Sequence, residues 1–144
     1  MIEWTDALIA YPRPASPAAV RAAEAELGFR LPPDFLAVAL VYQGARPVPA
    51  HLTVPGWGAT DVAHLLHFED HPGHTNIAAR RFPLADAMED NVIPFAADSG
   101  DDLFCFDYRR DPAHPSVVFW SVDSGPLLLA DSFTAFLALL HPDV

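Results

Sequence analysis

The chain has 144 residues, 51% of them apolar, and a formal charge of −11 from eight basic and nineteen acidic side chains. That length suits one domain, residues 1–144, around one core, and that apolar share excludes a disordered chain. All eight bases are Arg; the acidic excess sets nucleic acid and anionic membranes aside as partners and favours a basic protein.

The only cysteine, Cys105, excludes an intrachain disulfide. It lies within an apolar strand and reads as a small hydrophobe. The start MIEWTDALIAY lacks the basic residues and long apolar run of a secretory signal. No apolar stretch is long enough to span a bilayer. A cytosolic protein is expected.

Met1–Tyr11 reads as a short helix or an arm, with Trp4 and Leu8 spaced to pack together. Ser16-Pro17 starts a helix, Ser as N-cap and Pro at the first helical position. Val20, Ala23 and Leu27 form its apolar stripe, and Gly28 is placed as the left-handed cap. A second helix runs from Leu31-Pro32-Pro33-Asp34 to Tyr42. Phe35, Leu36, Val38, Ala39 and Leu40 are apolar around most of its circumference, which predicts burial. Gln43-Gly44 ends it. Residues 45–83 are irregular, broken by Pro and Gly. Strands fit His51–Val54 and Val62–Phe68, a short helix fits Asn76–Arg81, and Leu84–Met88 is a brief segment.

Val92–Tyr108 carries the clearest fold signal. Two apolar strands flank the turn Asp98-Ser99-Gly100-Asp101-Asp102. Strict alternation puts Ile93 and Phe95 on one side and Val92 and Ala96 on the other. Both strands are apolar on both sides, which predicts the middle of a sheet covered on both faces. Gly100 is the residue available for a positive φ in the turn. Val117–Val122 is again apolar on both faces. Leu127–Leu129 forms a short strand. Asp131 or Ser132 caps a last helix whose Phe133, Phe136, Leu137 and Leu140 make one stripe. The expected class is α+β: a central, mostly antiparallel sheet packed by two N-terminal helices and a C-terminal helix.

Several of these motifs resemble a known family. Val20-x-x-x-Glu24-x-x-Leu27-Gly28-x-x-Leu31-Pro32-x-Asp34-Phe35, followed by Tyr42-Gln43-Gly44, is similar to the N-terminal signature of the SUKH superfamily. Ile93-Pro94-Phe95-Ala96-x-Asp98-x-Gly100-Asp101 resembles its second signature. The strand Val117–Trp120 and the helix Ser132-Phe133-x-x-Phe136-Leu137 follow in matching order. The resemblance runs from Ser16 to Leu140, with the middle third unaligned. Gln43 stands where the family usually has Asn, and Ser99-Gly100-Asp101 replaces the commoner Gly-Gly pair. The superfamily includes fungal cell-wall regulators of the Smi/Knr type and many bacterial immunity proteins. The resemblance implies the same α+β arrangement. It also implies a non-catalytic immunity protein that neutralises a cognate toxin such as a nuclease; the alternative is a regulatory scaffold.

Two constellations bear chemistry. His64, His67, His71 and His74, with Glu69 and Asp70, gather zinc-type ligands in a short span. On a strand, however, His64 and His67 point to opposite faces, and Pro72-Gly73 breaks the segment. It reads as a solvated polar loop, the alternative being a metal-dependent enzyme. The acidic turn lacks the spacing and terminal Glu of a twelve-residue calcium loop. Asp98 reads as a hydrogen-bonded turn residue. Asp101 and Asp102, with Glu89, Asp90, Glu69 and Asp70, are the candidates for an anionic partner-binding surface. Trp57, between Gly56 and Gly58, is either an interface anchor or a ring folded onto the sheet edge. No nucleophile elbow or phosphate loop occurs, so no catalytic residue and no cofactor is assigned.

Overall fold

The computed structural model describes residues 2–7, 13–68, 77 and 87–143. The elements in chain order are β1 (Glu3–Thr5), α1 (Pro17–Leu27), α2 (Pro33–Tyr42), β2 (Arg46–Val48), β3 (His51–Val54), β4 (Gly58–Asp61), β5 (His64–Leu65), β6 (Val92–Ala97), β7 (Leu103–Asp107), β8 (Ser116–Ser121), β9 (Gly125–Ala130) and α3 (Phe133–Leu137). Strands β5 to β9 form one five-stranded sheet in sequence order, every neighbouring pair antiparallel. Two antiparallel two-stranded pairs, β1–β2 and the hairpin β3–β4, stand outside it. The α+β class and the helix-packed antiparallel sheet are as expected.

Local chemistry sets both ends of α1. The Ser16 hydroxyl accepts the Ala19 N–H at 3.0 Å, satisfying one orphan donor of the first turn. Gly28 closes the helix at φ 83°, its N–H on the Glu24 carbonyl. A side chain there would meet no steric contact but would occupy the left-handed region, which is why glycine suits the position. The Glu24 carboxylate then accepts the Leu31 N–H at 2.7 Å, folding the chain into α2.

Every residue of β6 and β7 is buried, as a sheet covered on both faces requires. One face is aromatic. Phe35 of α2 is fully buried and meets Phe95, Phe106 and Phe133 edge-on at 5.5, 5.2 and 5.3 Å; such pairs add about 0.5–1.5 kcal/mol each beyond area burial. Phe136 of α3 continues the layer against Phe95 and Phe104. Asp34, at the start of α2, accepts the Thr134 N–H and hydroxyl at 3.0 and 2.9 Å, joining the two helix starts. On the opposite face Glu89 reaches the Trp120 indole N–H at 3.0 Å. Trp120 lies in β8 and pairs with Leu103 of β7, so Glu89 lies over that face.

The structure departs from the sequence expectations at several points. Glu3–Thr5 is a strand paired with Arg46–Val48, not a helix; Trp4 stacks on Tyr42 at 6.4 Å, and Leu8 lies outside the described residues. Val62–Phe68 is not one strand. Val62, Leu65, Leu66 and Phe68 are buried, but their stretch bonds in turn to Ala50, Ala45 and Phe95, so it threads between elements. The α2 helix is less buried than its composition suggests: Val41 and Tyr42 are exposed. A bulge between Pro94 and Ala96 breaks the alternation of β6, so Ala96 pairs with Phe104 while Ile93 pairs with Phe106. Asp101, not Gly100, takes the left-handed conformation in the acidic turn, at φ 69°. Val122 falls outside β8 and is 69% exposed. Ser132, not Asp131, caps α3. Apart from Ile77, Ala87 and Met88, the expected segments Asn76–Arg81 and Leu84–Met88 lie outside the described residues.

Candidate functional site

The acidic turn between β6 and β7 is built on Asp98. Its side chain is buried to 6% exposure, and one oxygen accepts the N–H groups of Gly100 and Asp102 at 2.9 and 2.7 Å. The other accepts the Thr60 hydroxyl at 2.8 Å. Asp98 is therefore the hydrogen-bonded turn residue its context suggested. Next to it, Asp61 of β4 accepts both the N–H and the hydroxyl of Ser99, at 3.0 and 2.6 Å, and pairs with Arg46 at 2.9 Å. Burial alone would raise the Asp61 pKa, but these hydrogen bonds hold it below the usual carboxylate range. The β3–β4 pair is thus fastened to the turn by side chains rather than by a ladder.

A meander places alternate turns at the same end of the sheet. The β6–β7 turn and the β8–β9 turn, residues 122–124, accordingly lie together. Asp102 is bonded to Ser121 and feels Asp98, Asp101 and Asp123. Its pKa is raised, first by burial and then by the Asp98 carboxylate, against the lowering effect of Ser121. Asp101 and Asp123 are exposed. A cleft of about 370 Å³ beneath the turn is lined by Arg46, Asp61, His64, Asp98, Ser99 and Asp101 among others.

Trp57 belongs to this end. Its ring lies 5.1 Å from that of Phe119, two positions from Ser121 along β8. It remains 40% exposed, so it is both folded against the sheet and available at the surface.

The sequence candidates therefore divide. Asp101, Asp102 and Trp57 share one end of the molecule. Asp90 is exposed in the turn before β6. Glu89 is half-buried on the face opposite the helices, held to Trp120. Glu69 and Asp70 lie outside the described residues. Asp123, Val122 and Asp61 were not singled out from sequence. The order of two successive hairpins would have found the first two; only tertiary packing reveals Asp61.

Of the histidine segment, His67 is buried at 1% exposure and His64 half-buried, so that end is not a solvated loop. His71 and His74 lie outside the described residues. Among the described residues no three His, Cys, Asp or Glu side chains gather as metal ligands. Cys105 is fully buried within β7. At the other end of the sheet, a cleft of about 500 Å³ is lined by Asp107, Arg109, Arg110, His114, Val118 and Leu128 among others. Asp107 and Arg109 form a paired contact there at 2.9 and 2.8 Å, and the Arg109 hydrogen bonds outweigh burial to lower the Asp107 pKa. The mixed charge of that cleft contrasts with the carboxylate-rich turns. No helix among the described residues is long and apolar enough to cross a membrane.

Residues 14–139 match the sequence model of the SMI1 / KNR4 family (SUKH-1). A comparison with curated proteins finds no match. The motifs that carry the family resemblance have structural duties here. Glu24, Gly28 and Asp34 shape or join helices, and Phe35 centres the aromatic layer. Gln43 is fully buried; its amide donates to the Pro14 carbonyl at 2.9 Å and accepts the Phe68 N–H at 3.0 Å.

Proposed function

The chain belongs to the SMI1 / KNR4 family (SUKH-1), and from that premise we propose that it is a non-catalytic binding protein, an immunity protein that neutralises a cognate toxin by occupying a basic site. The observation that carries this reading is the end of the sheet where Asp101, Asp102 and Asp123 converge, in a chain of charge −11. The carboxylates there repel one another, and this is one reason the Asp102 pKa is raised. A partner's guanidinium or ammonium group relieves that repulsion on docking. A nuclease toxin suits the reading, because a cleft that grips phosphates is itself basic. Charge complementarity of this kind steers encounter and sets the association rate more than the final affinity. The hydrogen bonds that Asp98 and Asp61 accept hold the turn in one shape, so little ordering cost falls on binding.

The test is co-expression with the product of the neighbouring gene, followed by capture at low and high salt. The reading predicts a stoichiometric complex, weakened by salt and by Asp101→Arg combined with Asp123→Arg. Recovery of no complex, or of one indifferent to both changes, contradicts it.

A further inference from the structure

Charge accounts for attraction to the carboxylate-rich end but not for its apolar part. Trp57 sits at the tip of the β3–β4 pair between Gly56 at φ 80° and Gly58 at φ 131°. Both glycines adopt backbone conformations that other residues rarely take. The turn is closed by the Trp57 N–H on the Val54 carbonyl at 3.0 Å. The indole rests on Phe119 yet stays 40% exposed, whereas Trp120, one residue further along the same strand, is 3% exposed. Val122, in the adjoining turn, is 69% exposed. Asp123 follows Val122 in the same turn, and its carboxylate acts on Asp102 in the neighbouring one, beside Asp101.

We propose that Trp57 and Val122 form the apolar centre of the docking surface, and that the partner presents there an apolar patch rimmed by arginine or lysine. This rests on the reading above and divides its labour: the carboxylates speed association, and the apolar centre slows dissociation. The occupant's chemistry follows from charge complementarity, since an apolar patch ringed by acids would be opposed by a second acidic surface, including another copy of this chain. A tryptophan already packed against the sheet loses little freedom on binding, the usual property of an interface anchor. Its exposed ring face also accepts a guanidinium.

Two substitutions separate this from charge alone. Val122→Glu adds a carboxylate to the acidic end. If charge alone governs binding, it leaves affinity unchanged or raises it; the proposal predicts a loss of about 10-fold or more, read as faster dissociation from the neighbouring gene's product. Trp57→Ala is expected to raise the dissociation rate about 30-fold or more, with the association rate changed less than about 3-fold. Trp57→Phe keeps a ring against Phe119 and guards against a folding artefact; it is expected to retain most of the affinity. A complex that forms normally with both Val122→Glu and Trp57→Ala overturns the apolar centre while leaving the acidic reading standing. Absence of any complex with the unaltered protein overturns both.

Discussion

Replacing Asp98 by alanine tests whether the acidic turn is held by its own buried carboxylate. Three hydrogen bonds disappear, from Gly100, Asp102 and Thr60. Bonds to a charged acceptor contribute about 1.5–3 kcal/mol each, a gross loss of about 4.5–9 kcal/mol. Much of that is recovered, because Gly100 is exposed and Thr60 half-buried, so their freed donors turn to water. Relief of the repulsion felt by Asp102 offsets a further part. The expected net cost is about 2–3 kcal/mol. Asparagine keeps an oxygen for the two backbone N–H groups, and the Thr60 hydroxyl rotates to accept from its amide. Asp98→Asn is therefore expected to cost about 1 kcal/mol. Urea unfolding followed by fluorescence measures both, with the slope against denaturant serving as a check that the unfolded state is unchanged. The reasoning is refuted if Asp98→Ala costs under about 1 kcal/mol, or if the two variants are equally destabilised.

Other expectations are simpler. Gln43→Ala strands the Pro14 carbonyl and the Phe68 N–H, and is expected to cost about 2–5 kcal/mol by the same assay. Asp102→Asn should stabilise the protein at neutral pH. A raised folded pKa means that the folded state binds the proton more readily than the unfolded chain, so ionised Asp102 is a penalty above that pKa. The gain from Asn shrinks as pH falls through the folded pKa and is gone below the ordinary value of 3.8. Asp61→Asn has the opposite sign. Its lowered pKa gives stability above 3.8 that fades on acidification, so the variant is less stable at neutral pH and the deficit closes in acid. Asp101→Gly removes a non-glycine residue from φ 69°; relief of strain and added unfolded-state freedom roughly cancel, leaving stability within about 0.5 kcal/mol. The β-branched Asp101→Val is expected to cost about 1–2 kcal/mol.

Much of the scaffold was legible because its signals are local. Ser16-Pro17 and Gly28 cap α1 through bonds within a few residues, and the unbroken apolar run of β6 and β7 admits little besides a buried hairpin. What escaped depended on distant partners. Glu3–Thr5 is a strand only because Arg46–Val48 lies beside it. Gly58–Asp61 has almost no apolar pattern and pairs through the turn that follows β3. The site was legible as a composition, acids around a glycine, and the duty of Asp98 could be read from it. Its membership was not. Asp101 and Asp102 join Asp123 across the sheet, and Glu89 reaches Trp120 and the Gly125 edge of the second turn from before β6.

The central claim is that an acidic, preshaped end of the sheet steers a basic partner into a stoichiometric, inert complex. Its most direct test is the association rate constant with the neighbouring gene's product, measured from about 0.02 M to about 0.5 M salt, which shortens the screening length from about 20 Å to about 4 Å. The account predicts a fall of about 10-fold or more, largely abolished in Asp101→Asn combined with Asp123→Asn. A rate constant that stays flat across that range, or a fall that the double substitution leaves intact, contradicts it.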